Sequence, residues 1–319
     1  MANISFIIPH KGRDSMLLQT LESIAQLDKA EHQIDVVLVS QNEKASDAVL
    51  AYQQNLQLNV IYNVAGATIS SSRNLGVKAA KGDYLAFLDA DIDLAHNWLV
   101  EMLSTLAKPD IVLASAMQVD SIGAPPLERL RTGLSNATLD ERVTFLPGRN
   151  LFLTRSVFEQ VGGFPEHLIT CEDYYFTERV AAIGGLFYTS KTHYVHIGED
   201  KAFRPMFKKE IWRGQSNLAS IKGRQVPLAE WPSFVVPMIP ILSLATILPF
   251  IILNWIVLAG ASVLMTFLPV VVYALRLKLL VKDKVGLIHC LAFYAAYFPA
   301  RAIGTVIGLF SGISTSSHK

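Results

Sequence analysis

Apolar and polar positions follow two rhythms over the first 200 residues, and then polar positions become scarce. Ser5 to Ile8 reads as a short buried strand stopped by Pro9, and Leu17, Leu18, Leu21 and Ile24 share one face of a helix from Ser15 to Leu27. Asp35 to Val39 is a second strand, so strand, helix and strand form a parallel pair with a right-handed crossover. A helix over 45–54 and a strand over 58–62 come next. Apolar Leu75, Val77, Ala79 and Ala80 mark a helix that Lys81-Gly82-Asp83 ends, and Tyr84 to Leu88 runs on as a buried strand. His96 to Leu106 has Trp98, Leu99, Met102 and Leu106 facing inward, and Asp110 to Gln118 is another buried strand. Such alternation predicts an α/β sandwich on a mainly parallel sheet. Asp120 to Val143 holds a Pro-Pro pair and two glycines with little periodicity, and reads as a loop over the ligand edge of the sheet.

The next block is strand-like at Leu151 to Leu153 and helical at Ser156 to Val161, and turns at Gly162-Gly163-Phe164-Pro165. A helix then begins near Glu172-Asp173, with Tyr175, Phe176 and Val180 apolar, and ends at Gly184-Gly185. On the strand-like run Thr192 to Ile197, alternation puts His193 with Val195 and puts Tyr194 with His196 on the opposite face. From Lys201 to Arg224 there are seven basic residues against one acid, Glu210, while Phe203, Phe207 and Ile211 recur every four positions. That pattern suits an amphipathic helix on an anionic membrane surface, or one packed on the preceding domain with its basic face in water.

Phe234 to Leu275 contains no charged residue in 42 positions. A bilayer core takes about 20 helical residues to cross, so two spans fit, joined near Asn254-Trp255. The basic positions Arg276, Lys278, Lys282 and Lys284 then form a loop expected on the cytoplasmic side. A third apolar segment, Val285 to Phe310, is interrupted by His289, Pro299 and Arg301, and is either a further span or a re-entrant hairpin.

Composition supports this division. The 319 residues are 51% hydrophobic and 17% charged, with a mean hydropathy of +0.34, too apolar for a purely soluble chain. The excess lies beyond residue 230. Three parts follow: a domain over 1–200, an amphipathic interfacial segment over 201–230 and a membrane part over 231–319. A net charge of +1 gives no reason to expect nucleic acid, and the amino terminus lacks the pattern of a secretion signal. The expected location is the plasma membrane or cell inner membrane, multi-pass, with the first domain in the cytoplasm.

The chemistry is concentrated after the strand Tyr84 to Leu88. Asp89 and Asp91 leave its carboxyl end, where open α/β sheets place ligands. Two carboxylates so close repel unless a cation accompanies them, although Asp-x-Asp is also common as a solvated turn. A divalent ion of the Mg2+ or Mn2+ kind suits such oxygen donors and completes its shell with substrate phosphates. The arrangement Arg73-Asn74-Leu75-Gly76, Gly82-Asp83-Tyr84 and Phe87-Leu88-Asp89-Ala90-Asp91 resembles the signature of family 2 glycosyltransferases, inverting enzymes with a GT-A fold. The resemblance implies a nucleotide site with Pro9, Ser40, Arg73 and Asp89, and a metal held by Asp91. Ser40 stands where family members carry an aspartate on the base, so the base preference is open.

Acids at a helix amino terminus are explained by the helix dipole alone. Beside Gly162-Gly163-Phe164, however, Glu172-Asp173 followed by Tyr174, Tyr175 and Arg179 resembles the family's second motif. The resemblance implies Asp173 as the catalytic base with Glu172 as its orienting neighbour. It also implies His196 as a further metal ligand and Arg213 as an acceptor or phosphate contact. Inverting transfer needs one base to deprotonate the acceptor hydroxyl as it attacks the anomeric carbon. The chain is thus expected to move a single sugar from a nucleotide-sugar to a lipid-linked or glycan acceptor, in cell-surface polysaccharide or glycolipid synthesis. A polyprenyl phosphate, a polyprenyl-diphosphate oligosaccharide and a glycolipid are the acceptors considered. Gln-x-x-Arg-Trp, the mark of processive synthases, is absent after the acidic pair. The alternatives are a sugar nucleotidyltransferase, for which His10-Lys11-Gly12-Arg13 makes a short loop, and an inactive membrane assembly partner.

Overall fold

The computed structural model describes residues 1–12, 14–221, 228 and 231–316. Arg13, Lys222 and Arg224, and with them the end of the expected interfacial segment, lie outside the described residues. The described chain forms two compact units, Met1–Ile122 with Ser135–Glu199, and Gly123–Leu134 with Asp200–Lys319.

In chain order the elements of the first unit begin with β1 (Asn3–His10), α1 (Asp14–Ala25), β2 (Gln33–Ser40), α2 (Asp47–Leu50) and β3 (Leu58–Tyr62). They continue with α3 (Ile69–Ala79), β4 (Tyr84–Leu88), β5 (Ile92–Leu94), α4 (Trp98–Leu106) and β6 (Ile111–Val119). Helix α5 (Pro126–Ser135) follows in the inserted segment, then β7 (Glu141–Val143), β8 (Asn150–Thr154), α6 (Arg155–Val161), α7 (Glu172–Ala181) and β9 (Gly185–His196).

The sheet is mixed. Its strand order is β3-β2-β1-β4-β8-β6-β9-β5, with β7 paired to β9. β3, β2, β1 and β4 are parallel, whereas β8 is antiparallel to both β4 and β6. β9 runs parallel to β6, and its pairing with β5 and β7 is antiparallel. Following these directions, the carboxyl ends of β1, β2, β4 and β9 and the amino end of β8 all reach one edge. One core, with Phe6, Trp98 and Phe152, covers one face of the sheet, and a second gathers Phe87, Phe158, Phe164 and Phe176.

Several elements differ from the sequence expectation. β1 continues through Pro9 because beyond Ile7 it is paired on only one side, where an imino nitrogen is tolerated. The helix expected over 45–54 shrinks to α2 plus turns. The loop expected over 120–143 contains a helix, α5. Its Pro126 occupies the first turn, where a missing N–H costs nothing, and Leu127 and Leu130 on one face are buried.

In the second unit α5 is joined by α8 (Phe203–Gly214), α9 (Asn217–Ile221), α10 (Trp231–Val235), α11 (Met238–Ile252), α12 (Ile256–Val281) and α13 (Leu287–Ser316). Leu127, Leu130, Met206, Leu277, Val281, Phe293 and Phe298 build its core. The buried face of α8 is Met206, Glu210 and Gly214, while Phe203 and Trp212 are exposed, so the face differs from the Phe203-Phe207-Ile211 row. Glu210 is buried among Arg131, Arg213 and Arg301, which answers its desolvation with three guanidinium groups. Backbones of α8 and α13 approach so closely that a Cβ on Gly304 would overlap the carbonyl oxygen of Ile211.

The apolar stretch after residue 233 turns at Asn254-Trp255 as expected, with Asn254 in the left-handed region. The spans do not divide as expected. α11 is 15 residues, about 22 Å at 1.5 Å per residue, short of a hydrocarbon core of about 30 Å. Among the described residues two helices are long and apolar enough to cross a membrane, Ile256–Lys284 and Leu287–Phe310. Arg276 and Lys278 lie on α12, so the helix runs through the residues read as the start of a loop.

Candidate active site

Four residue groups meet at the shared edge of the first unit. Asp89 follows β4, and its backbone N–H donates to the Arg149 carbonyl, which draws the entry to β8 against the acidic turn. Asp91 lies two residues on, with Ile197 N–H donating to its carbonyl. His196 is the last residue of β9 and Asp91 precedes β5. The antiparallel pairing of Ile92 with His196 therefore brings carboxylate and imidazole together. His196 Nε2 is 3.4 Å from Asp91 Oδ2, and both residues are buried.

Arg73, on α3, ties the two sequence blocks together. It is 1% exposed, which makes every hydrogen bond of its head group consequential. Nη2 donates to Asp89 Oδ1 and to the Gly148 carbonyl, and Nη1 donates to Glu172 Oε1, each at 3.0 Å. The guanidinium also lies 4.9 Å from the centre of the Phe164 ring. Its neighbour Asn74 grips the same turn: Nδ2 donates to the Phe164 carbonyl and Oδ1 accepts from Phe164 N–H, both at 2.9 Å. Gly162 and Gly163 take φ of 84° and 82°, a left-handed pair that suits glycine. A side chain at Gly163 would also press on Asn74 Oδ1.

Glu172 and Asp173 open α7 behind Cys171, whose φ of 64° reverses the chain just before the acids. Asp173 Oδ2 accepts from Gly148 N–H at 3.1 Å, and Oδ1 accepts from Tyr174 N–H at 2.8 Å. Glu172 is more deeply buried. Burial first, then the adjacent Asp173 carboxylate, push its carboxyl up to about 7, while Arg73 pulls the other way.

At the ends of β1 and β2, Pro9 pairs with Val39 and His10 with Ser40, and Gln41 N–H donates to the His10 carbonyl. Ser40 is 1% exposed, and its Oγ accepts from Asn42 N–H at 3.1 Å and lies 3.4 Å from His10 Nδ1. Arg213 belongs to the second unit, where it donates to Glu210 Oε1 at 2.6 Å.

Whether the edge suits a divalent cation is a question of donors. Asp91 and His196 offer one carboxylate oxygen and one imidazole nitrogen side by side, and His196 is braced on its other nitrogen by Glu199, 3.1 Å from Nδ1. Facing these carboxylates, the imidazole is held above its ordinary pKa, although burial, the largest single effect, opposes this. Among the described residues no group of three or more His, Cys, Asp and Glu side chains is placed to enclose an ion. The pair therefore fits an ion that draws most of its shell from phosphate and water.

Residues 5–162 match the model of the family described as glycosyl transferase family 2. The chain is a family 2 glycosyltransferase. Glycosyltransferase AglE of Haloferax volcanii is 24% identical over 225 residues, 67% of this chain and 73% of that one. Several other curated relatives are matched over less than a third of their own length. The fold is that of a mannosyltransferase of Pyrobaculum calidifontis solved with GDP-Man and Mn2+. The TM-score is 0.62 at 16% identity, over 97% of this chain and 87% of that one. GalNAc-T7, solved with UDP, GalNAc and Mn2+, gives 0.51 at 17% identity, over 73% of this chain and 54% of that one. These likenesses make the first unit of this glycosyltransferase a GT-A domain.

Of the residues singled out from sequence, Arg73, Asp89, Glu172 and Asp173 form one hydrogen-bonded group through Gly148, and Asp91 and His196 form a second. Sequence reasoning missed Asn74, Gly148, Arg149 and Glu199. Asn74 was visible as part of Arg-Asn-Leu-Gly, but its target lies 90 positions away.

Proposed function

We propose that this glycosyltransferase moves one sugar from a nucleotide-sugar to a lipid-linked acceptor at a membrane, inverting the anomeric centre. The observation that carries the reading is the Arg73 clamp, which holds the donor-side acid Asp89 and Glu172 to one buried guanidinium and reaches Asp173 through Gly148. Two helices of membrane-crossing length in the same chain support a lipid-linked acceptor. So do the many large apolar side chains that α11 and α12 leave exposed.

In this reading Asp173 takes the proton of the acceptor hydroxyl. Its two oxygens are aimed by Gly148 and Tyr174 N–H groups, which fix the carboxylate without a flexible partner. Glu172 positions Arg73 and is held from ionising fully near neutral pH, which limits repulsion beside the base. Asp89 and Arg73 hold the nucleotide with the backbone around Pro9 and Ser40. Because Ser40 Oγ is occupied by Asn42 N–H, its role at the base is to shape the turn. Asp91 and His196 would hold Mg2+ or Mn2+, which when bound offsets the charge of the departing nucleoside diphosphate. The mannosyltransferase and GalNAc-T7 structures with Mn2+ support that choice. Arg213, committed to Glu210, is left out of the mechanism. No observation favours the nucleotidyltransferase or the inactive partner.

The test is a screen of the purified full chain against nucleotide-sugars, read by release of nucleoside diphosphate with a polyprenyl phosphate or glycolipid present. Asp173→Asn is expected to lower turnover by about 10²- to 10⁴-fold while nucleotide binding persists. Normal turnover by that variant would overturn the assignment of the base.

A further inference from the structure

The His196 side of the site is supported by a buried polar chain that the transfer mechanism above does not use. His196-Ile197-Gly198-Glu199 is a tight turn after β9, closed by Glu199 N–H donating to the His196 carbonyl at 3.1 Å. The turn folds the Glu199 carboxylate back onto the imidazole, with Oε2 3.1 Å from Nδ1. That carboxylate is 1% exposed and does not meet His196 alone. Gln118 Nε2, from β6, donates to the same oxygen at 3.2 Å, and Arg149 Nη1 is 3.9 Å away. Arg149 is fixed in turn, with Nε donating to the Tyr194 hydroxyl at 2.8 Å and Nη2 to Ser135 Oγ at 2.7 Å.

Burying a carboxylate this deeply is expensive, and the geometry shows what the expense secures. A carboxylate on Nδ1 makes that nitrogen the donor, leaves Nε2 with the lone pair, and sets the ring plane toward Asp91 Oδ2. Carboxylate–histidine pairs of this kind fix the tautomer and orientation of metal-binding imidazoles, and losing the outer partner costs about 10- to 100-fold in metal affinity. The structure assigns Glu199, seated by Gln118 and Arg149, as the positioning residue that aims His196 at the divalent cation. The assignment rests on the metal reading proposed above.

The experiment measures Mn2+ binding directly, by the signal of free Mn2+ in electron paramagnetic resonance, on the full chain with UDP or GDP and no sugar donor. Glu199→Gln is expected to weaken Mn2+ about 10- to 100-fold. His196→Ala is expected to weaken it at least as much, and the double variant to be no weaker than His196→Ala alone, because the carboxylate acts only through the ring. Glu199→Asp, with a shorter reach, serves as a second variant, and thermal midpoints identify any variant that has lost its fold. A purely structural Glu199 would lower the midpoint yet leave Mn2+ affinity at the wild-type value, which would overturn the proposal. Equal additional losses in the presence and absence of His196 would overturn it as well. If His196→Ala itself binds Mn2+ like wild type, the metal reading fails first, a result distinct from failure of Glu199 alone.

Discussion

Arg73 shows how much one buried side chain does here. A guanidinium that is 1% exposed must find partners for its donors, and those it finds come from the turn after β4, from the turn before β8 and from α7. Glu172 completes the clamp at the cost of its own ionisation, and this has a consequence for stability. Its folded pKa, about 7, lies above the reference value of 4.5, so its contribution is present in full below about 4.5 and is lost as pH rises through 7. Between pH 5 and pH 8 the thermal midpoint of the wild type is therefore expected to fall relative to that of Glu172→Gln, which mimics the protonated carboxyl. Parallel midpoints across that range would show that the shift is absent. At this scale the sequence was informative where chemistry is local: Asp89 and Asp91 stand at the lip of an apolar strand, and Glu172-Asp173 open a helix. Glu199 was not legible, since its role depends on Gln118 and Arg149, 81 and 50 positions away in sequence, closing around one carboxylate.

Helices and strands were legible according to their length and their environment. β4 matches its apolar run because four consecutive residues, Leu85 to Leu88, are enclosed, whereas β5 has three residues and takes its strand form from pairing with β9. α5 was hidden by proline and glycine signals, although Leu127 and Leu130 carry its buried face. α8 was recognised as amphipathic, but its inner row was not, because that row contains a glutamate. Glu210 is tolerable there only because three arginines surround it, and removing it would leave them without their shared anion. Glu210→Ala is expected to cost about 3 to 5 kcal/mol, measured as a loss of thermal or denaturant resistance in detergent. A variant as stable as wild type would show that the cluster is not a structural hub. The same cluster accounts for Arg301 within an apolar helix: it faces Glu210 and donates to Asn217 Oδ1 at 3.0 Å.

Across the whole molecule, the alternation of strand and helix predicted the α/β class, and the uncharged stretch predicted apolar helices after residue 230. What it could not give was the antiparallel half of the sheet, which arises from strands far apart in sequence. Nor could it give the boundary between units, since residues 123–134 pack with the second unit while the chain on both sides of them belongs to the first. The division at residue 200 therefore cuts through one of the two units. A fragment 1–200 keeps α5 but loses Met206, Leu277, Val281 and Phe293 from the cluster that buries Leu127 and Leu130. Size-exclusion chromatography of that fragment is expected to show self-association, relieved by Leu127→Ser with Leu130→Ser. A monodisperse unmodified fragment would contradict this.

The insertion also bears on the order of events during synthesis. By the time the ribosome has finished the last strand of the sheet, α5 has already emerged with two leucines that have nowhere to go until residues more than 70 positions later have been made. A nascent chain at that stage carries a helix whose apolar face stays uncovered until its partners arrive.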